Sequence, residues 1–147
     1  MNKFFAKIPY DITSQLPNEY QNLDDFWAAQ DTLDYSLEQL GGYFHKYFPR
    51  SYIETDTLFS YLLKYSLKYR NILSEKKQIS ILDVGCGIGA NTIALAKNLD
   101  SNFPNLDLIK IDAVDGNNNA LDYQQNLIKN WACFIARFTF SRDKMNF

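Results

Sequence analysis

The sequence is short of metal-binding and cross-linking side chains. It has two cysteines, Cys86 and Cys133, and one histidine, His45, in 147 residues. That is too few for a disulfide-rich scaffold, and it argues against a Cys/His zinc site. A secretory leader is not legible either, because Lys7 and Pro9 cut short the apolar start at Phe4-Phe5-Ala6. Both cysteines are therefore read as free thiols in a reducing cytoplasm. Long hydrophobic runs are missing too. Asp83 and the glycines interrupt the best candidate, so no segment is expected to span a membrane. Nor does charge of one sign dominate: 15 basic and 17 acidic residues leave a net charge of −2. Such a balance provides no global attraction to nucleic acid or to an acidic membrane.

Enough apolar material is present to fold. Hydrophobic residues make up 46% of the chain and aromatics 16%, which suits one core, and 147 residues suit one domain. No internal repeat is visible. Residues 1 to about 20, with Pro9 and Pro17, read as an irregular arm. Leu23, Phe26, Trp27, Leu33, Leu37 and Leu40 then form a helical stripe. Asn22 is placed to cap it, Asp24 and Asp25 suit its positive end, and Gly41-Gly42 is expected to stop it. Tyr43 to Arg50 reads as an aromatic and basic connector ending near Pro49. A second helix is expected from about Asp56 to Leu73, capped by Thr55, with Leu58, Leu62, Tyr65, Tyr69 and Ile72 on one face.

Beyond the polar loop Ser74-Glu75-Lys76-Lys77 the pattern changes. Residues 78–84 form a nearly continuous apolar run, read as a strand buried on both faces of a parallel sheet. A helix is expected from about Gly89 to Leu99 and a second strand from Leu106 to Val114. A third helix follows, capped by Asn119 and carrying Leu121, Leu127, Ile128 and Trp131. Ile135 to Phe140 suits either a third strand or a helix extension. The whole reads as an α/β chain: a helical region over 1–75, then a partial Rossmann-like unit over 76–147 with two or three parallel strands. Such units bind ligands beyond the C-terminal ends of their strands.

Asp83, Gly85, Gly87 and Asp115 fall at that end. Gly85, Gly87 and Gly89 strip the turn of side chains, so a cofactor can approach the backbone and the following helix start. The strand before the turn and the helix after it are the context such a pattern requires. Two cofactor classes fit. Gly85-x-Gly87-x-x-Ala90 satisfies the dinucleotide pattern GxGxxG/A. Asp83 opposes that choice, because its carboxylate repels a pyrophosphate laid over the turn. A cationic ligand such as S-adenosylmethionine suits it better. Asp115, at the end of the second strand, can accept hydrogen bonds from both hydroxyls of a ribose and serves either class. The plainer readings are a local cap for Asp83 and an Asp-Gly turn for Asp115.

The run Ile81-Leu82-Asp83-Val84-Gly85-Cys86-Gly87-Ile88-Gly89 resembles motif I of the class I S-adenosylmethionine-dependent methyltransferases. Ala113-Val114-Asp115 resembles the second motif of that family. The likeness covers about residues 75–135. It implies that Gly85, Cys86 and Gly87 line the methionine portion of the cofactor, with Gly89 and Gly116 also among the cofactor-binding residues. By the same likeness Asp115 holds the ribose, and Asp83 acts near the ammonium end. It also implies a seven-stranded sheet, of which only two or three strands are legible. Only 58 residues follow Gly89. The expectation is thus a methyltransferase domain whose acceptor-side half is absent, with a bare edge on the first strand. Self-association or a partner chain is expected to complete the sheet. The alternatives are a non-catalytic module derived from such an enzyme and a fragment of an NAD-dependent oxidoreductase. No pattern specifies the methyl acceptor or a catalytic residue.

Three features stand outside this reading. Tyr61, Tyr65 and Tyr69 recur at helical spacing beside Lys64 and Lys68. That stripe suits an amphipathic core edge with its lysines in solvent, with a base-stacking face for RNA as the alternative. His45, among Tyr43, Phe44, Tyr47 and Phe48, reads as a packed or surface histidine before a general base. Cys86 starts a helix but has no base partner, so it reads as a small lining residue.

Overall fold

The computed structural model describes residues 35–132 and 138–144. In chain order these form helix α1 (Leu37–Tyr65), helix α2 (Leu67–Ser74), strand β1 (Gln78–Val84), helix α3 (Ala90–Asn102), strand β2 (Leu108–Asp115), helix α4 (Asn118–Ala132) and strand β3 (Phe138–Lys144). No helix among the described residues is long and apolar enough to cross a membrane.

Helix α1 begins with a capping box. The Ser36 hydroxyl accepts from the Gln39 amide at 3.3 Å, and the Gln39 side chain accepts from the Ser36 amide at 2.9 Å. The helix then runs through Gly41, Gly42 and Pro49, so the expected stop at Gly41-Gly42 and the expected connector from Tyr43 to Arg50 are both overturned. Two glycines and a proline cost about 1 and 3 kcal/mol apiece relative to alanine. Offsetting them is a ladder at i, i+4 spacing: Leu40, Phe44, Phe48 and Tyr52 are all buried, each contributing about 1.5–3 kcal/mol. Phe44 and Phe48 stack at 4.3 Å between ring centroids. Leu37 and Leu40 thus open this helix instead of closing an earlier one. The rest of the expected first helix, with its Asn22 cap, lies outside the described residues.

The expected helix from Asp56 to Leu73 is divided at Ser66, whose φ of −116° and ψ of 89° break the helical path. Thr55 caps nothing; it sits inside α1 and its hydroxyl donates to Asn91 Oδ1 at 2.9 Å. The predicted apolar face is not a core face. Leu58, Leu62, Tyr65, Tyr69 and Ile72 are all exposed, and α2 buries no residue.

The three strands are parallel and lie in the order β1-β2-β3. This is a partial Rossmann-like α/β sheet with helices preceding it. Both crossovers step in the same direction, and right-handed crossovers of that kind put α3 and α4 on one face. Burial follows. Ile81 of β1 and Ile109, Ile111, Ala113 and Asp115 of β2 point to the helices and are buried. On the other face Leu82 and Val84 are 68% and 60% exposed. Strand β1 is therefore covered on one face only, contrary to the expectation of burial on both. It is also an edge strand, pairing with β2 and, among the described residues, with nothing on its other side.

Phe138–Lys144 is a strand, which decides Phe138 to Phe140 in favour of the third strand; Ile135 to Arg137 lie outside the described residues. Asn117, not Asn119, caps α4: its Oδ1 accepts from the amides of Asn119 and Ala120 at 2.9 and 3.2 Å. One core unites the first half of α1 with the sheet, since Leu40, Phe44, Phe48 and Tyr52 share it with Ile81, Ile93, Ile109, Ile111 and Ile128.

Candidate functional site

Three consecutive odd-numbered glycines connect β1 to α3. All have positive φ: 69° at Gly85, 52° at Gly87 and 84° at Gly89. A side chain at Gly85 or Gly87 would meet nothing within 4 Å, so the space above the turn is open and the glycines serve the backbone path. Gly89 is different. A Cβ there would lie 2.4 Å from the Gln124 side chain, so this glycine lets α3 and α4 pack together.

Asp115 ends β2 beside the turn, buried, and its two carboxylate oxygens are both in use. One accepts from the Gly87 amide at 2.7 Å and the other from the Asn117 amide at 2.8 Å. The carboxylate thus clasps the loop after β1 to the loop after β2. Gly85 and Cys86 donate their amides to the Val114 carbonyl, at 2.7 and 3.3 Å, and Gly89 donates to Cys86 at 2.9 Å. Four of the turn's donors are therefore engaged within the protein. The turn's amides are expected to greet a ligand; in the structure those of Gly85, Cys86, Gly87 and Gly89 hold the loop.

Asp83 faces the other way. The Thr92 hydroxyl donates to it, and Gln124 Nε2 donates to Thr92 at 3.0 Å. Burial pushes the Asp83 carboxyl above its ordinary range; the Thr92 bond opposes that shift and the nearby Asp115 charge adds to it. Cys86 is a free thiol pushed up to about 12, first by burial and then by Asp115 and Asp83. It stays protonated at neutral pH and offers no nucleophile.

Two clefts open over the turn, of about 110 and 90 Å³. The first is bounded by Tyr35, Tyr43, Gly85, Gly87, Asp115 and Asn117. The second is bounded by Tyr43, Tyr47, Ser51, Cys86, Gly87 and Asn91. Tyr43 lies between them, its ring 4.7 Å from that of Tyr47, and its hydroxyl pKa is raised mainly by burial. Each cleft alone is smaller than the roughly 300 Å³ at which ligand pockets begin, and so are the two together.

Among the residues expected at the site, Gly85, Cys86, Gly87 and Asp115 line the clefts. Asp83, Gly89 and Gly116 do not: Asp83 and Gly89 stand behind the turn against Thr92 and Gln124, and Gly116 forms the bend after β2. Compared with family models, curated proteins and solved structures, the chain matches none. The site is therefore read from its own geometry. Sequence reasoning missed Tyr35, Tyr43, Tyr47, Ser51, Asn91 and Asn117. The signal for the α1 residues was the i, i+4 ladder Leu40, Phe44, Phe48, Tyr52, which marks a helix and sets Tyr43 and Tyr47 on the face beside it. The side chain of His45 and all of Cys133 lie outside the described residues.

Proposed function

We propose that the chain binds S-adenosylmethionine over the turn from Gly85 to Gly89 and belongs to the methyl-transfer chemistry of that cofactor. The observation that carries this reading is the pairing of an open, left-handed glycine turn with the Asp115 carboxylate at one end of the cleft. Each carboxylate oxygen has a second lone pair, so Asp115 can accept ribose hydroxyls while still holding Gly87 and Asn117. The choice over a dinucleotide rests on charge. A pyrophosphate needs free amide donors and a positive field. Here the amides of Gly85, Cys86, Gly87 and Gly89 are engaged, and two carboxylates lie close enough for Asp115 to raise the Asp83 pKa. A cationic sulfonium suits that field.

When bound, S-adenosylmethionine supplies an activated methyl group that leaves by in-line displacement. Gly85 and Gly87 give it room, Cys86 contributes a small neutral wall, and Tyr43 and Tyr47 close the α1 side. The same reading puts the chain in the cytoplasm. It includes a second chain, either another copy or a partner, that pairs with the open edge of β1. A binding module without turnover is the second reading, favoured by the uncovered face carrying Leu82 and Val84. Titration calorimetry with S-adenosylmethionine, S-adenosylhomocysteine, NAD and NADP tests the cofactor. Tighter binding of either dinucleotide would overturn it. A scattering mass in the presence of ligand tests the pairing, and a monomer with full methyl-transfer turnover would remove the need for a second chain.

A further inference from the structure

The end of α1 and all of α2 form a surface that the cofactor reading does not use. Tyr61 and Tyr65 are 63% and 61% exposed, with ring centroids 4.3 Å apart, and Tyr69 is half exposed beyond them. The core-edge reading of this stripe is overturned by that exposure. Lys64 Nζ lies 4.9 Å from the centre of the Tyr65 ring.

Charge is concentrated here. Residues 57–77 hold Lys64, Lys68, Arg70, Lys76 and Lys77 against one carboxylate, Glu75; ten cations and sixteen carboxylates remain for the rest of the chain. Lys64, Lys68 and Arg70 make no ion pair among the described residues. A near-neutral total thus hides a basic segment on an acidic molecule.

Between α1, α2 and the end of α3 lies a cleft of about 210 Å³, bounded by Ser60, Leu63, Lys64, Arg70, Asn102 and Phe103. Its polar wall is anchored. Ser60 donates to the buried Asn98 side chain at 3.1 Å, Asn102 donates to the Asn98 carbonyl at 2.9 Å, and Asn98 itself donates to Asp56 at 2.6 Å. Two cations over an anchored polar wall suit a phosphate group with water around it.

We propose that this face binds single-stranded nucleic acid, with bases stacked on Tyr61, Tyr65 and Tyr69 and a backbone phosphate in the cleft between Lys64 and Arg70. Aromatic faces interleaved with cations are what unpaired bases and their phosphates require. Duplexes are excluded from the stacking part because their bases are already stacked. The proposal does not rest on the cofactor reading.

Fluorescence anisotropy of the full chain with labelled oligo(U) and oligo(dT) of about 12 nucleotides, over a salt series, tests it. Binding is expected to weaken with salt, with a log–log slope of at least about −0.7 from the phosphate in the cleft. Tyr61→Ala with Tyr65→Ala should weaken binding at least about fivefold and leave that slope unchanged. Lys64→Gln with Arg70→Gln should weaken it and flatten the slope by about 0.7. All four side chains are exposed, so both variants are expected to keep the parent melting curve. Three results would overturn the proposal: no binding at low salt, equal affinity for a duplex of the same length, or capture by phosphatidylserine vesicles without capture of the oligonucleotides.

Discussion

Helix α1 is two helices in one. From Leu40 to Tyr52 its large side chains enter the core, and Tyr43 and Tyr47 stand over the glycine turn. From Leu58 onward the same kinds of residue face outward, with Leu58 70% exposed. Both halves are rich in large apolar and aromatic residues: Leu40 to Tyr52 holds one leucine, two phenylalanines and three tyrosines, and Leu58 to Tyr65 three leucines, one phenylalanine and two tyrosines. What differs is what lies beneath. The first half rests on α3, where Lys97 lies over the Tyr52 ring, and on α4, where Phe44 meets Tyr123 at 5.6 Å. The second half meets α3 mainly through Leu63 and polar contacts such as Ser60 to Asn98, so most of its apolar surface finds no partner among the described residues. The comparison teaches that an apolar stripe reports a surface needing a partner and does not say that the partner is this chain's own core.

The largest effect that sharpens this contrast is at Phe48, which is fully buried and stacked on both Phe44 and Tyr52. Phe48→Ala should destabilise the fold by about 3–5 kcal/mol. Denaturant unfolding at constant m-value measures it. A loss below about 1 kcal/mol would erase the distinction between the halves. Next is the turn on which the buried half stands. Gly89→Ala should cost about 2–4 kcal/mol, combining left-handed strain with overlap against Gln124. In thermal melts, adding Gln124→Ala should relieve the overlap but not the strain, so only partial recovery is expected; full recovery would mean that φ is unstrained.

Smaller again is Asp115→Ala, which leaves the Gly87 and Asn117 amides without their acceptor. Unliganded stability should fall by about 1–3 kcal/mol, and affinity for S-adenosylmethionine by a similar amount. Calorimetry with an unchanged dissociation constant would move the ribose elsewhere. Asp83 gives a pH signature of lesser size. Its folded-state pKa is raised, mainly by burial, so the folded chain holds this proton to higher pH than the unfolded chain does. Stability therefore rises as pH falls through the raised value, and the cost is complete above it. Asp83→Asn keeps an acceptor for Thr92 and should match or exceed the parent's stability at neutral pH. That advantage should disappear in acid, as read by paired melts across the pH range. The smallest effect is at Tyr65, where replacement by alanine should shift stability by no more than about 0.5 kcal/mol. A larger loss would mean that the outward half of α1 is packed after all.

The sequence reading was strongest where local chemistry and fold agree. An apolar run before glycines and a capped helix after them can hardly be anything but a β-turn-α unit, and β1, α3, β2 and α4 follow it closely. It failed where tertiary packing overrode local preference. Gly41, Gly42 and Pro49 all mark helix ends by propensity, yet buried aromatics at i, i+4 carry α1 through them. Burial was misjudged at β1 for a related reason. A run such as Ile79 to Val84 records apolar side chains on both faces, but which face is covered depends on the direction of the crossovers, a property of the whole chain. At the site, Asp115 and the glycines were legible from their place after strands. Their engagement with each other was not, because the Gly87 to Asp115 bond joins positions 28 residues apart. Tyr43 and Tyr47 were lost with the helix that carries them.

The order of the strands in space is their order in the chain. During synthesis none of the described strands has to be inserted between two that are already paired. Each emerging unit can dock on the one made before it, so the sheet can grow as the chain leaves the ribosome. Helix α1 is the exception. Among the described elements it is made first, and the surface that covers Phe44, Phe48 and Tyr52 does not exist until α3 and α4 have followed. For that interval the nascent chain displays an aromatic ladder with nothing to lie on, and this segment is the natural one for a chaperone to hold.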